Sequence, residues 1–198
     1  MLERLYKRLL YGHVGIDYFA PEFRTQAMPG SDILLHLPVL TWYASRCESV
    51  VEFGVREGHS SLAFLSGLQK TGGILYSYDL DPCPLYNSLA QSCFWHFEQL
   101  DTLSTEAVQR VPQADLLFFD TLHTDAQLRE ELRLHGWKAK KWLVFHDTMT
   151  CGEKDLSGQD PAAQGISRAI EDYSNTHGLS LVYETEACNG LQIFQRNY

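Results

Sequence analysis

The stretch Ser49–Leu65, "SVVEFGVREGHSSLAFL", decides the fold. Val50, Val51 and Phe53 form a short apolar run without strict alternation, as in a strand buried on both faces. Gly54 and Gly58 then stand four residues apart around a tight turn, and a helix-like segment follows, with Ser60 or Ser61 expected to cap it. A strand that enters a glycine turn and leaves as a helix is the opening unit of an α/β sheet, and such turns hold ligands where the strand stops. Glycine admits a positive φ and lets another backbone or a ligand come close. The pattern is neither GxGxxG, because Arg56 follows Val55, nor a P-loop, because no Gly-Lys-Ser/Thr follows. Read alone, it is equally a plain tight turn and a ligand loop.

Working outward, the same alternation recurs along the chain. Apolar runs stand at 49–54, 74–79, 93–100, 115–120, 142–147, 179–185 and 191–196. Helix-like stretches lie between them at roughly 60–70, 84–92, 102–110, 124–135 and 163–176. Apolar runs separated by helices predict a parallel sheet covered on both faces. Only "EACN" and Gly190 separate the last two runs, too short for a crossover helix, so a hairpin and one antiparallel strand are expected at the sheet end.

The chain has 198 residues, within the range of one domain. We read a cover segment over 1–45, including an amphipathic helix on Leu2, Leu5, Leu9 and Leu10, and a cofactor-binding core over 46–198. A formal net charge of −9 disfavours a phosphate backbone, so no nucleic-acid partner is expected. No apolar run reaches eighteen residues, so no membrane span is expected. The five cysteines are scattered and never form CxxC, which with no secretory signal points to free thiols and a cytoplasmic location. The first helix and the aromatic segment 18–32 offer a homodimer contact.

An open α/β sheet binds ligands beyond the carboxyl ends of its strands, and the runs 74–79, 115–120 and 142–147 end on an acid, while Asp101 directly follows the run 93–100. Asp79 ends the second run about 25 residues after Gly54, where a carboxylate can accept from both ribose hydroxyls of a nucleoside. Asp81 is the weaker candidate for the same role. Asp101, after the third run, could face an adenine amino group or cap the helix in "DTLSTEAV".

Together, "VVEFGVREGHSS", "LYSYDLDP", "DLLFFDTLHTDAQL" and "WLVFHDT" resemble the class I S-adenosylmethionine-dependent methyltransferases. Within them, the chain is similar to a small bacterial and phage group related to cephalosporin-hydroxylase-like and catechol-type O-methyltransferases. "SDILLHLPVLTWYASRCESVVEFGVREG" and "ACNGLQIFQR" extend that resemblance over about residues 30–196. It implies a Rossmann-like α/β fold with a seven-stranded sheet of order 3-2-1-4-5-7-6, strand 7 antiparallel and helices on both faces. It also implies S-adenosyl-L-methionine as cofactor, with Glu52, Gly54 and Gly58 around its methionine part, Asp79 on the ribose and Asp101 near the adenine.

A second constellation lies at the ends of the fourth and fifth runs: Asp120, His123, His146 and Asp147. Catechol-type relatives place metal-binding acids at these strand ends, which implies a divalent cation, magnesium or manganese, on Asp120, His146 and Asp147. A cation bound to a hydroxyl acceptor lowers its pKa and fixes its direction, and the imidazole favours manganese, iron or zinc over magnesium. Asp120, His123 and His146 are the candidate catalytic groups, since a histidine could also remove the acceptor proton without metal. The blander alternatives are that Asp120 caps the helix near Thr124, that His123 packs at the sheet edge, and that His146 is buried under the following loop. That loop, 148–163, is a candidate lid, and the lysines of "HGWKAKKW" read as a solvated turn. The reading is a transfer of methyl to oxygen on a small molecule or sugar. A nicotinamide-dependent oxidoreductase, a nucleoside-binding module without chemistry and a metal-dependent hydrolase are the alternatives.

Overall fold

The computed structural model describes residues 32–89, 94–154 and 165–197. The expected N-terminal helix, nearly all of the aromatic segment 18–32, Cys93 and the loop beyond Lys154 lie outside the described residues.

The seven apolar runs become seven strands: β1 (Ser49–Phe53), β2 (Ile74–Asp79), β3 (Trp95–Gln99), β4 (Ala114–Phe119), β5 (Ala139–His146), β6 (Leu179–Thr185) and β7 (Leu191–Arg196). Between and before them lie α1 (Leu37–Ala44), α2 (His59–Leu68), α3 (Pro84–Leu89), α4 (Thr105–Arg110), α5 (Asp125–His135) and α6 (Ser167–His177). The strands form one sheet in the order β3-β2-β1-β4-β5-β7-β6. All neighbours from β3 to β5 pair parallel, and β7 pairs antiparallel with both β5 and β6. Order and hairpin both agree with the sequence.

Side chains alternate across the strands and divide the core in two. Val50, Leu75, Leu116, Phe118 and Val144 face the side covered by α1 and α2, packed with Leu40, Ala63 and Phe64. Val51, Phe53, Leu117, Phe119 and Phe145 face the opposite side with α4, α5 and α6, through Ala107, Leu128, Leu132 and Ile170. Burial on both faces explains why these strands read as continuous apolar runs rather than alternating ones.

The lysine cluster departs from expectation, because β5 starts at Ala139 and takes in half of the predicted turn, with Lys140 and Lys141. Lys138 is buried and donates through Nζ to the carbonyls of Val108 and Val111, both at 2.9 Å. It satisfies carbonyls at the end of α4, a favourable place for a cation. Lys141 reaches the Arg46 carbonyl at 3.0 Å and Asp115 at 3.4 Å.

Candidate active site

Strand register brings the ends of β1, β4 and β5 into one row. Phe53 pairs with Phe119 and Phe119 with Phe145, so the next residue on each strand is Gly54, Asp120 or His146. Beneath them Phe119 meets Phe53 in a tilted pair, centroids 5.1 Å apart, and stacks on Phe145 at 5.4 Å, an apolar floor. Gly54 has φ +85°, and a Cβ on it would lie 2.0 Å from the Asp120 carbonyl oxygen. This glycine is therefore required by the approach of β4 itself.

The turn is held from below and from one side. Glu52 is fully buried and accepts hydrogen bonds from Ser60 (2.5 Å), Ser61 (2.6 Å) and Ser77 (2.6 Å), which join β1, β2 and the start of α2. Burial pushes its carboxyl up to about 7 against the pull of those three hydroxyls. The two serines expected to cap α2 thus serve Glu52, and Gly58 (φ +86°) takes the N-cap position. Glu52 lies below the turn with its carboxylate occupied, so it shapes the loop rather than facing an open pocket.

Asp79 closes the turn from the side. Its Oδ2 accepts from the amides of Val55 (2.6 Å) and Arg56 (3.0 Å), and its Oδ1 from that of Asp81 (2.9 Å). Two donors fill Oδ2, and Oδ1 keeps an acceptor position. Asp101 is exposed and accepts from the Leu103 amide at 2.9 Å, while Ser104 caps α4 by accepting from the Ala107 amide. Asp101 therefore shapes the turn before α4 and is not that helix's cap.

The second constellation does converge. His123 Nε2 lies 3.2 Å from Asp120 Oδ1 and 2.8 Å from Asp147 Oδ2. His146 Nδ1 lies 3.0 Å from Asp120 Oδ1 and 3.4 Å from Asp147 Oδ2. Asp147 holds its position in left-handed backbone, φ +57°. Burial works against charge on every member, but the mutual hydrogen bonds and opposite charges outweigh it. His123 rises to about 9 and His146 to about 11, while both carboxyls are held below the usual carboxylate range. Without a cation, the cluster is two carboxylates neutralised by two protonated imidazoles. Among the four, His123 has the most exposed side chain, at 28%.

These residues fit a divalent cation. One ligand atom from each of Asp120, His146 and Asp147 lies within 4.8 Å of the others, the reach of two bonds of about 2.0–2.4 Å meeting on one ion. Asp147 Oδ1 is buried with no hydrogen-bond partner among the described residues, an acceptor turned toward nothing. Two positive charges from an ion would replace the two protons on the imidazoles.

The structure also bears on the helix-cap alternative for Asp120. Thr124 caps α5, accepting from the Gln127 amide, which leaves Asp120 to its histidines. Three contributors carry no legible pattern in the sequence. Glu131 looks like a solvated helix residue but is fully buried, accepting from Thr102, Thr121 and Gln127 and so anchoring the loop that carries His123. His36 sits in an apolar stretch and resembles a core histidine. The Cys188 carbonyl reaches the site only because β7 runs antiparallel.

A parallel α/β sheet with an antiparallel seventh strand and a glycine turn beside β1 defines the Rossmann-like methyltransferase class. Residues 51–148 match the family described as methyltransferase domain, and on that match and the sheet order the chain is a class I S-adenosylmethionine-dependent methyltransferase. The nicotinamide and binding-module alternatives fall away. No curated protein matches the chain. Among solved structures it is similar to the Podospora anserina methyltransferase PaMTH1 bound to S-adenosylhomocysteine, at 11% identity and TM-score 0.63, covering 100% of this chain and 94% of that one. It is similar to the Bacillus cereus O-methyltransferase in complex with S-adenosylhomocysteine, at 11% identity and TM-score 0.63, with 100% of both chains covered. Cofactor-bound Rv0187 from MTB matches at 15% identity and TM-score 0.64, covering 99% of this chain and 97% of that one. At such identities these likenesses carry the fold alone. No helix of the described residues is long and apolar enough to cross a membrane, and among the described residues Cys47, Cys83, Cys151 and Cys188 form no disulfide.

Proposed function

We propose that the chain methylates a hydroxyl oxygen of a small molecule or sugar, with a divalent cation held by Asp120, His146 and Asp147. The observation that carries this is the convergence of those three groups and His123 at the ends of β4 and β5, one register row from the glycine turn. Gly54 and Gly58 would leave room for the cofactor's methionine part, the free acceptor position of Asp79 Oδ1 would take its ribose, and Asp101 would face its adenine. Bound in that way, the cofactor would present its methyl group toward the strand ends that carry Asp120, where the chain's groups would orient an acceptor oxygen.

When bound, the cation supplies an acidified and oriented acceptor hydroxyl. The chain's own groups do the rest. Asp120 and Asp147 set the charge of the site, the phenylalanine floor excludes water from below, and His123 at the mouth receives the acceptor's proton. The nitrogen ligand favours manganese over magnesium. The Bacillus cereus neighbour is named an O-methyltransferase, which agrees with an oxygen acceptor.

Calorimetric titration with S-adenosylhomocysteine, with and without manganese, tests the reading on the wild type and two variants. Asp79→Ala is expected to weaken nucleoside binding, and Asp147→Ala to abolish manganese binding while S-adenosylhomocysteine still binds. Full turnover after exhaustive chelation would sink the cation.

A further inference from the structure

His36 lies before α1, 152 positions from Cys188 in sequence, yet it is 1% exposed and its Nε2 stands 3.0 Å from the Cys188 carbonyl oxygen. His146, also 1% exposed, reaches the same oxygen with its own Nε2 at 3.2 Å. The two rings meet edge to face, with centroids 5.2 Å apart and planes at 77°. A carbonyl can only accept, so both nitrogens are donors and the two lone pairs of one oxygen hold two imidazoles.

The carbonyl is held there by an unusual backbone. Cys188, Asn189 and Gly190 have φ values of +45°, +70° and +95°, three successive residues in left-handed conformation. Single L-residues in that region cost about 1–2 kcal/mol, so the surroundings must impose the turn. They do so at several points. The Asn189 carbonyl accepts from the amides of Met149 (2.8 Å) and Thr150 (3.1 Å), just past Asp147. A Cβ on Gly190 would lie 2.5 Å from the Met149 nitrogen, so the turn is clasped against the strand end that carries the site.

We propose that His36 is a positioning residue: through the shared Cys188 carbonyl it keeps His146 donating from Nε2, so that Nδ1 stays turned to Asp120 and Asp147. This deepens the cation reading, since a ligating histidine whose second nitrogen donates to a fixed acceptor is held in one tautomer and one orientation. His36 packs on the outer edge of the His146 ring and stops it swinging away from the carboxylates. Its own contact with the substrate is not required.

The test uses the full chain with His36→Phe, which keeps a flat ring but no donor, and His36→Gln, which restores a donor. Manganese binding is read from the free-ion paramagnetic resonance signal, alongside the melting temperature and the histidine ring N–H signals by nuclear magnetic resonance. His36→Phe is expected to weaken manganese binding by about tenfold or more, with His36→Gln recovering most of it. Wild-type affinity in His36→Phe would overturn the proposal, as would equal loss in both variants with a lowered melting temperature, which would return His36 to packing. If the wild type binds no manganese, the cation reading fails separately. The ring signals then decide: loss of the slowly exchanging His146 Nε2–H in His36→Phe supports positioning, and an unchanged signal refutes it. His36→Met replaces the phenylalanine variant should that one not fold.

Discussion

Gly54→Ala separates two costs that a glycine turn usually confounds. At φ +85° an added Cβ forces an L-residue into left-handed backbone, which costs about 1–2 kcal/mol. The same Cβ would stand 2.0 Å from the Asp120 carbonyl oxygen and 2.6 Å from its carbonyl carbon, so β4 must move away by about an ångström. Overpacking of this kind costs about 1–3 kcal/mol more, for a total of about 2–5 kcal/mol. Gly72→Ala is the internal control: its φ is +69°, but no atom lies within 4 Å of where its Cβ would stand, so only the backbone cost applies. Urea melts of both variants give the two energies. For a chain of this size each kcal/mol lowers the melting temperature by about 2–4 °C, so Gly54→Ala should melt roughly 4–20 °C below wild type. Because the displaced backbone belongs to Asp120, this variant should also lose manganese binding, which Gly72→Ala should keep. Equal destabilisation of the two variants, within about 0.5 kcal/mol, would refute the close-approach argument.

Two buried groups pull stability in opposite directions over one pH window. Burial lowers His135 to about 4, so the stability present above pH 6.5 should fall by about 3 kcal/mol as the pH drops through 4; a ring that titrates near 6.5 by nuclear magnetic resonance would disprove it. Glu52, raised by burial to about 7, contributes stability below pH 4.5 that is lost, by about 3 kcal/mol, as the pH rises through 7. Glu52→Gln should remove that second slope from urea melts run across pH 4.5–7.5, and an unchanged slope would assign it elsewhere. Manganese binding should release protons from His123 and His146, so calorimetry in buffers of different ionisation enthalpy should give buffer-dependent heats; identical heats would mean that the imidazoles carry no protons to displace.

The fold was legible because strands buried on both faces leave uninterrupted apolar runs, and because the residues from Glu186 to Gly190 are too few for anything but a hairpin. The acids ending β2, β4 and β5 were legible for a related reason: an acid directly after an apolar run marks the carboxyl edge of a parallel sheet. What Glu52 does was not, since nothing in "VVEFG" says that Ser60, Ser61 and Ser77 will converge on it from two other elements. Lys138 misled for a similar reason. A lysine beside two others looks solvated, and only the fold shows two α4 carbonyls within its reach. His36 and Cys188 are 152 positions apart, a pairing that no local periodicity can encode.

The antiparallel course of β7 has a consequence for the order in which the molecule is made. Asp120, His123, His146 and Asp147 leave the ribosome before the Cys188 carbonyl that holds His146, which stands 42 positions after it. The contacts among those four groups involve no residue of the hairpin, but the acceptor that fixes the second nitrogen of His146 arrives only when the hairpin closes. The orientation of His146 is therefore completed by the last strand pair to be made, whose Leu191 and Ile193 also close the core beside β5.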